Sequence, residues 1–190
     1  MPRSLINPDY EFNKEEWVVS VLNTGNKFSG HSVLVVEGIE GDKLFVGQYD
    51  ITATIAPPAA GDAKQDGQAT GVINQASIEN NFNVKGHINK IRCYESENYS
   101  IDYSKFSSKS YRYVPASAAK RMISSIKSDA KRIDENLEKQ RYQFLGKNFP
   151  WVNSDNGHNC ASWVQEKLEI AGIDHGNTKS KPKKVAGSKL

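Results

Sequence analysis

The sequence predicts an α+β domain in which a central antiparallel sheet packs against two helices, one long and one opened by Cys160. Three observations carry that expectation: a hairpin pattern over 28–52, a three-and-four spacing of apolar residues that starts at Pro115, and a second helical pattern that starts at Cys160. A chain of 190 residues, 37% of them hydrophobic, can bury one sizeable core. The pattern predicts a single domain over 1–173 with an insertion at about 53–81, and a basic tail over 174–190.

The hairpin is FSGHSVLVVEGIEGDKLFVGQYDIT, two apolar runs around a Gly41-Asp42 turn. Val33 and Val35 share the face of His31 while Leu34 and Val36 occupy the other, so the first strand is expected to be central and covered on both sides. The stretch that follows is rich in Gly, Ala, Pro and small polar residues, which predicts a long surface loop or insertion. Strand patterning returns in FNVKGHINKIRCYE at 82–95, which carries His87 and Cys93, and in SYRYVP at 110–115. From Pro115, placed in the first turn, Ala119, Met122, Ile123, Ile126, Ala130, Ile133 and Leu137 step at helical intervals, a stripe that should pack on the sheet. The loop YQFLGKNFPWVNSDNG leads to the last helix, where Cys160, Val164, Leu168 and Ala171 recur on one side, Asn159 suits the N-cap and Gly172 the residue past the last turn. After Ile173 the periodicity stops, and the lysine-rich, apolar-poor remainder predicts disorder.

Composition narrows the function classes. No apolar run approaches the roughly 20 residues that span a bilayer, and the N-terminal stretch lacks the pattern of a secretory signal, so a cytoplasmic chain is expected. Cys93 and Cys160 are the only cysteines; free thiols are expected, a four-cysteine zinc site is excluded by count, and no metal or cofactor is implied. The net charge of +3 sits in the tail, whose five lysines and one aspartate give +4 and leave the body at -1, which gives weak support for nucleic-acid binding, a function that would need a basic face on the folded body, and no nucleic-acid partner is expected. The terminal Ser188-Lys189-Leu190 would be read as a peroxisomal address in a eukaryote. Lysine- and asparagine-rich texture, no export signal and that tripeptide together suit a bacterial effector delivered to a host cell.

The chemistry points to Cys160. A helix N-terminus carries roughly half a positive elementary charge and unpaired N–H groups, and can draw a thiol below its free pKa of about 8.5. The plain alternative is a small buried hydrophobe; what favours a nucleophile is a base elsewhere, for which His31 is the candidate. With the turn at Gly41-Asp42, partner numbers on the two strands sum to 83, which puts Gln48, Asp50 and Thr52 on the face of His31. Asp50 is the carboxylate expected to orient the imidazole, with Gln48 as an uncharged alternative. His87 is a second candidate base, while His158 is expected to line the cleft or close the loop before the helix. His175 lies a helix length of about 18 Å from Cys160 and is expected to be exposed. Trp151 and Trp163 would wall a substrate groove or pack in the core.

Two segments resemble the NlpC-type cell-wall peptidases and their circularly permuted relatives, the lecithin:retinol acyltransferase-like group, within the papain-like thiol hydrolase superfamily. Asn159-Cys160-Ala161-Ser162-Trp163-Val164 with Ala171-Gly172-Ile173 is similar to the family's cysteine segment, and Gly30-His31-Ser32-Val33-Leu34-Val35-Val36-Glu37-Gly38 to its histidine strand. The family's Ser-Gly after the cysteine is replaced here by Ala161-Ser162, and its upstream Tyr-x-x-Gly is only loosely echoed by Tyr142 through Gly146. Only 17 residues follow Ile173, so the histidine strand precedes the cysteine, the order of the permuted group.

The resemblance implies a papain-like fold without cofactor and an acyl-enzyme on Cys160, with His31 as base and the Cys160 N–H facing the oxyanion. The implied partner is a protein, peptide or acylated small-molecule substrate with an amide, isopeptide, ester or thioester bond. Peptidase is favoured over acyl transfer because no apolar segment offers an anchor for lipid substrates. The competing reading is a non-catalytic binding module on the same fold.

Overall fold

The computed structural model describes residues 3–25, 30–55, 85–97, 101–106, 108–137, 140–143 and 158–175. Within them six strands form one sheet: β1 (Glu16–Gly25), β2 (Gly30–Glu40), β3 (Lys43–Ile55), β4 (Lys85–Ser96), β5 (Ser108–Pro115) and β6 (Arg141–Gln143). Their order is β5-β1-β2-β3-β4-β6 and each pairing is antiparallel. Two helices, α1 (Ala116–Asp134) and α2 (Cys160–Ile170), complete an α+β fold. Neither is long and apolar enough to cross a membrane.

The β2–β3 hairpin turns at Gly41, whose φ of 64° is the left-handed conformation that a two-residue hairpin turn needs. Its register runs from Glu40↔Lys43 to Leu34↔Tyr49, each pair summing to 83 as the turn predicts. β2 is central, between β3 and β1. β1 was not among the expected strands, although its run Trp17 to Leu22 is largely apolar on both faces and fits a strand buried on two sides. Gly38 sits against the Trp17 indole so closely that a Cβ there would overlap the ring.

Apolar side chains fill both faces. On one, Val19, Val21, Leu34, Val36 and Ile51 meet Ala119, Met122 and Ile126 of α1 and Ala161, Val164 and Leu168 of α2. On the other, Val18, Leu22, Val33, Val35 and Val46 are covered by Ile6 and Phe12 of the N-terminal segment. Burying each such side chain contributes roughly 1.5–3 kcal/mol, so the two layers hold β1, β2 and β3 in place around the site.

Several boundaries differ from the sequence expectation. Pro115 closes β5 and stands at the N-cap of α1 rather than in its first turn. The helix ends earlier than its apolar stripe: Asn136 takes a left-handed φ of 54°, and the N–H groups of Asn136 and Leu137 donate to the carbonyls of Ile133 and Arg132. Leu137, expected on the packed stripe, therefore lies past the helix and is 69% exposed. Residues 53–55, expected in the insertion, continue β3, and the loop expected before the last helix contains β6. The rest of the 53–81 insertion, Trp151 and the tail from residue 176 lie outside the described residues.

Candidate active site

Local sequence fixes the start of α2. Asn159 is extended (φ -100°, ψ 178°); its Oδ1 accepts from the Ser162 N–H at 2.8 Å, and its own N–H donates to Ser162 Oγ at 2.9 Å. Ser162, a departure from the family pattern, thus closes a capping box. At the other end Gly172 (φ 71°) and Ile173 donate to Glu169 and Leu168, the stop that the glycine predicted. Between these caps Lys167, buried on α2, holds Asp129 of α1 at 2.6 Å and fixes the helix laterally.

Cys160 is the first residue of α2 and lies at the beginning of β2. The backbone N–H groups of Ser32 and Ala161 point to its sulfur, and the His31 side chain is its polar neighbour. On the ring, Nε2 bonds Asp50 Oδ2 at 2.9 Å. Nδ1 is buried and has no hydrogen-bond partner among the described residues, while the His31 side chain as a whole interacts with the Cys160 thiol. A carboxylate can only accept, so Nε2 carries the proton in this bond, and when the ring is neutral that tautomer leaves the lone pair on Nδ1.

Asp50 is itself held. The Arg92 Nε donates to its Oδ1 at 2.7 Å and the second guanidinium nitrogen to Oδ2, so one carboxylate bridges an imidazole and a bidentate guanidinium. The result is a row across three neighbouring strands, His31 on β2, Asp50 on β3 and Arg92 on β4, ending at the head of α2. Asp50 is 2% exposed and Cys160 7%.

Opposing causes set the ionisation of these groups. Burial pushes the imidazole down, but the hydrogen bonds and charges of Asp50 and Cys160 prevail and raise His31 to about 9. Burial also disfavours a thiolate, yet His31 and the Ser32 and Ala161 amides hold the Cys160 thiol below its ordinary value. For Asp50 burial again opposes the charge, and His31 and Arg92 overcome it, so the carboxyl is lowered. All three directions favour the charged form, a thiolate, an imidazolium and a carboxylate, over the neutral one.

The structure brings Cys160, His31 and Asp50 together. The partner of Nε2 is Asp50, not the alternative Gln48. His87 is exposed on β4. His158 precedes the helix, where its Nε2 lies 3.2 Å from Glu166 and its Nδ1 3.5 Å from Ser162 Oγ. His175 is not exposed as expected: past the Gly172 turn its side chain is 12% exposed and its Nε2 lies 3.1 Å from Glu169. Trp163 is buried in the core, the second of the two expected places. Both cysteines are free thiols.

Three participants escaped the sequence reading. The Ser32 amide is a backbone group with no residue signature. Tyr142 of β6 is buried close enough to Cys160 for a thiolate there to raise the phenol; its signal was the faint Tyr142–Gly146 echo. Arg92 is the direct cross-strand partner of Asp50, but the long segment between β3 and β4 left their register unreadable. No protein-family model, curated protein or solved structure matches the chain.

Proposed function

We propose that the protein is a cysteine-dependent hydrolase or acyl transferase of the circularly permuted papain-like type, acting on an amide, isopeptide, ester or thioester bond. The observation that carries this reading is the convergence on Cys160 of His31, itself bonded to Asp50 at 2.9 Å, and two backbone N–H groups. A capped helix start, a base of fixed tautomer and a buried carboxylate behind it are the parts that nucleophilic thiol catalysis needs.

The Cys160 thiolate attacks the carbonyl carbon, and the oxyanion forms beside the first-turn amides of α2. The His31 imidazolium gives its proton to the leaving nitrogen, oxygen or sulfur as the bond to carbon breaks, leaving a thioester on Cys160. Water, or a second nucleophile, then loses a proton to Nδ1 while attacking that thioester, and the acid or transferred acyl product departs with the thiolate restored. Peptide or isopeptide bonds are the preferred substrates, on a protein, a peptide or an acylated small molecule.

Iodoacetamide labelling at about pH 6 tests the proposal, because an ordinary thiol there is under about 1% ionised. Cys160 should label rapidly and stoichiometrically, well ahead of Cys93. Labelling as slow as that of Cys93 in the unfolded chain would favour the non-catalytic binding module instead.

A further inference from the structure

We propose that Arg92 is a positioning residue of this site: it clamps Asp50 in the rotamer that faces His31 and cancels much of the carboxylate's charge, so that Asp50 orients the imidazole without locking it as imidazolium. This rests on the hydrolase reading above and deepens it.

The geometry motivates the proposal. Asp50 Oδ2 is shared between His31 Nε2 and the guanidinium, while Oδ1 is taken by Arg92 Nε at 2.7 Å. A carboxylate so engaged cannot rotate without breaking a bidentate pair, and Arg92 and Asp50 are direct partners in the β3–β4 ladder, which fixes the clamp to the sheet. Lysine would supply the charge but not the fork. The chemistry asks for restraint as well as attraction: in the acylation step His31 must surrender its proton to the leaving group, and an imidazolium facing an uncompensated buried carboxylate is a poor acid. A cation on the far side of the carboxylate supplies that restraint.

The neighbouring charges are few. His31 faces Asp50 of β3 and Cys160 of α2; Asp50 faces His31 and Arg92; Arg92 faces Asp50 and, along its own strand, Tyr94; Cys160 also faces Tyr142 of β6. Of these, Arg92 alone is a permanent cation, and it therefore sets the effective charge of Asp50.

The experiment is an imidazole NMR titration of His31 in the full chain, comparing the unaltered protein with Arg92→Met, Arg92→Gln and Arg92→Lys, the resonance being assigned by its loss in His31→Gln. In Arg92→Met the His31 midpoint should rise by about one pH unit. It should rise in Arg92→Gln too, which keeps an amide donor should the methionine variant fail to fold. Arg92→Lys should lie between these and the parent. A midpoint that is unchanged or lower in a folded Arg92→Met or Arg92→Gln protein overturns the proposal; a merely structural arginine would produce that result. Failure of the hydrolase reading is distinguishable, since His31 in the parent chain would then titrate as an ordinary imidazole near about 6.5 and Cys160 would label slowly at about pH 6.

Discussion

The two ends of the β2–β3 hairpin each bury a carboxylate, and they treat it in opposite ways. Toward the open end, Asp50 is lowered: burial opposes its charge, but His31 and Arg92 supply two cationic partners. Toward the turn, Glu37 is fully buried among the N-terminal segment and, among the described residues, meets neutral donors, Ser4 Oγ at 2.9 Å and the N–H groups of Leu5, at 2.6 Å, and Ile6, so burial prevails and its pKa is raised. Hydrogen bonds from neutral donors do not offset the effect of burial on the Glu37 carboxyl, whereas a guanidinium and an imidazole do so for Asp50. One end holds charge in readiness for chemistry; the other ties the N-terminal segment to the sheet.

Replacing each carboxylate by its amide breaks or sharpens that comparison. Asp50→Asn should have the largest effect, because it removes the charge that Arg92 and His31 share and leaves one acceptor oxygen for both, with an NH2 group that can turn the His31 tautomer over. Urea titration should show a loss of about 2–4 kcal/mol, the lower side of a broken buried pair since Arg92 is partly exposed. Alkylation of Cys160 at about pH 6 should fall by about tenfold or more. Parental stability and reactivity in the Asp50→Asn protein would contradict the charged end of the hairpin.

The pH dependence of stability should separate the two sites next. The folded pKa of Asp50 is lowered, so its contribution is complete above the unfolded value of about 3.9 and disappears as pH falls through the folded value. The stability gap between the parent and Asp50→Asn should therefore narrow below about pH 4. For Glu37 the sign reverses: its folded pKa is raised, so the parent gains on Glu37→Gln as pH falls through the folded value toward about 4.3. Gaps that move in the same direction would show that both carboxylates are governed by the same environment.

Smaller effects test the parts that position the charged end. Asn159→Ala removes the acceptor of the Ser162 N–H and should cost about 1 kcal/mol in thermal or urea unfolding, with slower Cys160 alkylation as the helix start frays. Smallest of all, Glu37→Gln near neutral pH should stay within about 1 kcal/mol of the parent and leave alkylation unchanged, because the amide keeps an acceptor for the neutral donors of that pocket and burial already works against the charge.

How much of this was legible in the sequence depended on whether a local rule governed it. A two-residue turn fixes register, so placing the turn at Gly41-Asp42 was enough to bring Asp50 to the face of His31. Residue spacing with an N-cap and a terminal glycine fixed α2 from Asn159 to Gly172. Where a long connection intervenes, register is lost: nothing local could pair Arg92 with Asp50, and the amide of Ser32 has no side-chain signature. Leu137 misled because a periodic apolar stripe says nothing of where a left-handed residue such as Asn136 will stop the helix. His175 misled because a chain reversal after Gly172 returns it to Glu169.

The central claim is that His31 ionises Cys160, and the ultraviolet absorbance of the Cys160 thiolate followed against pH in a Cys93→Ser background reads it directly. The account predicts that the thiolate forms well below the ordinary value of about 8.5 and that His31→Ala drives its midpoint back to that value or above it. A thiol that titrates at or above the ordinary value whether or not His31 is present would contradict it.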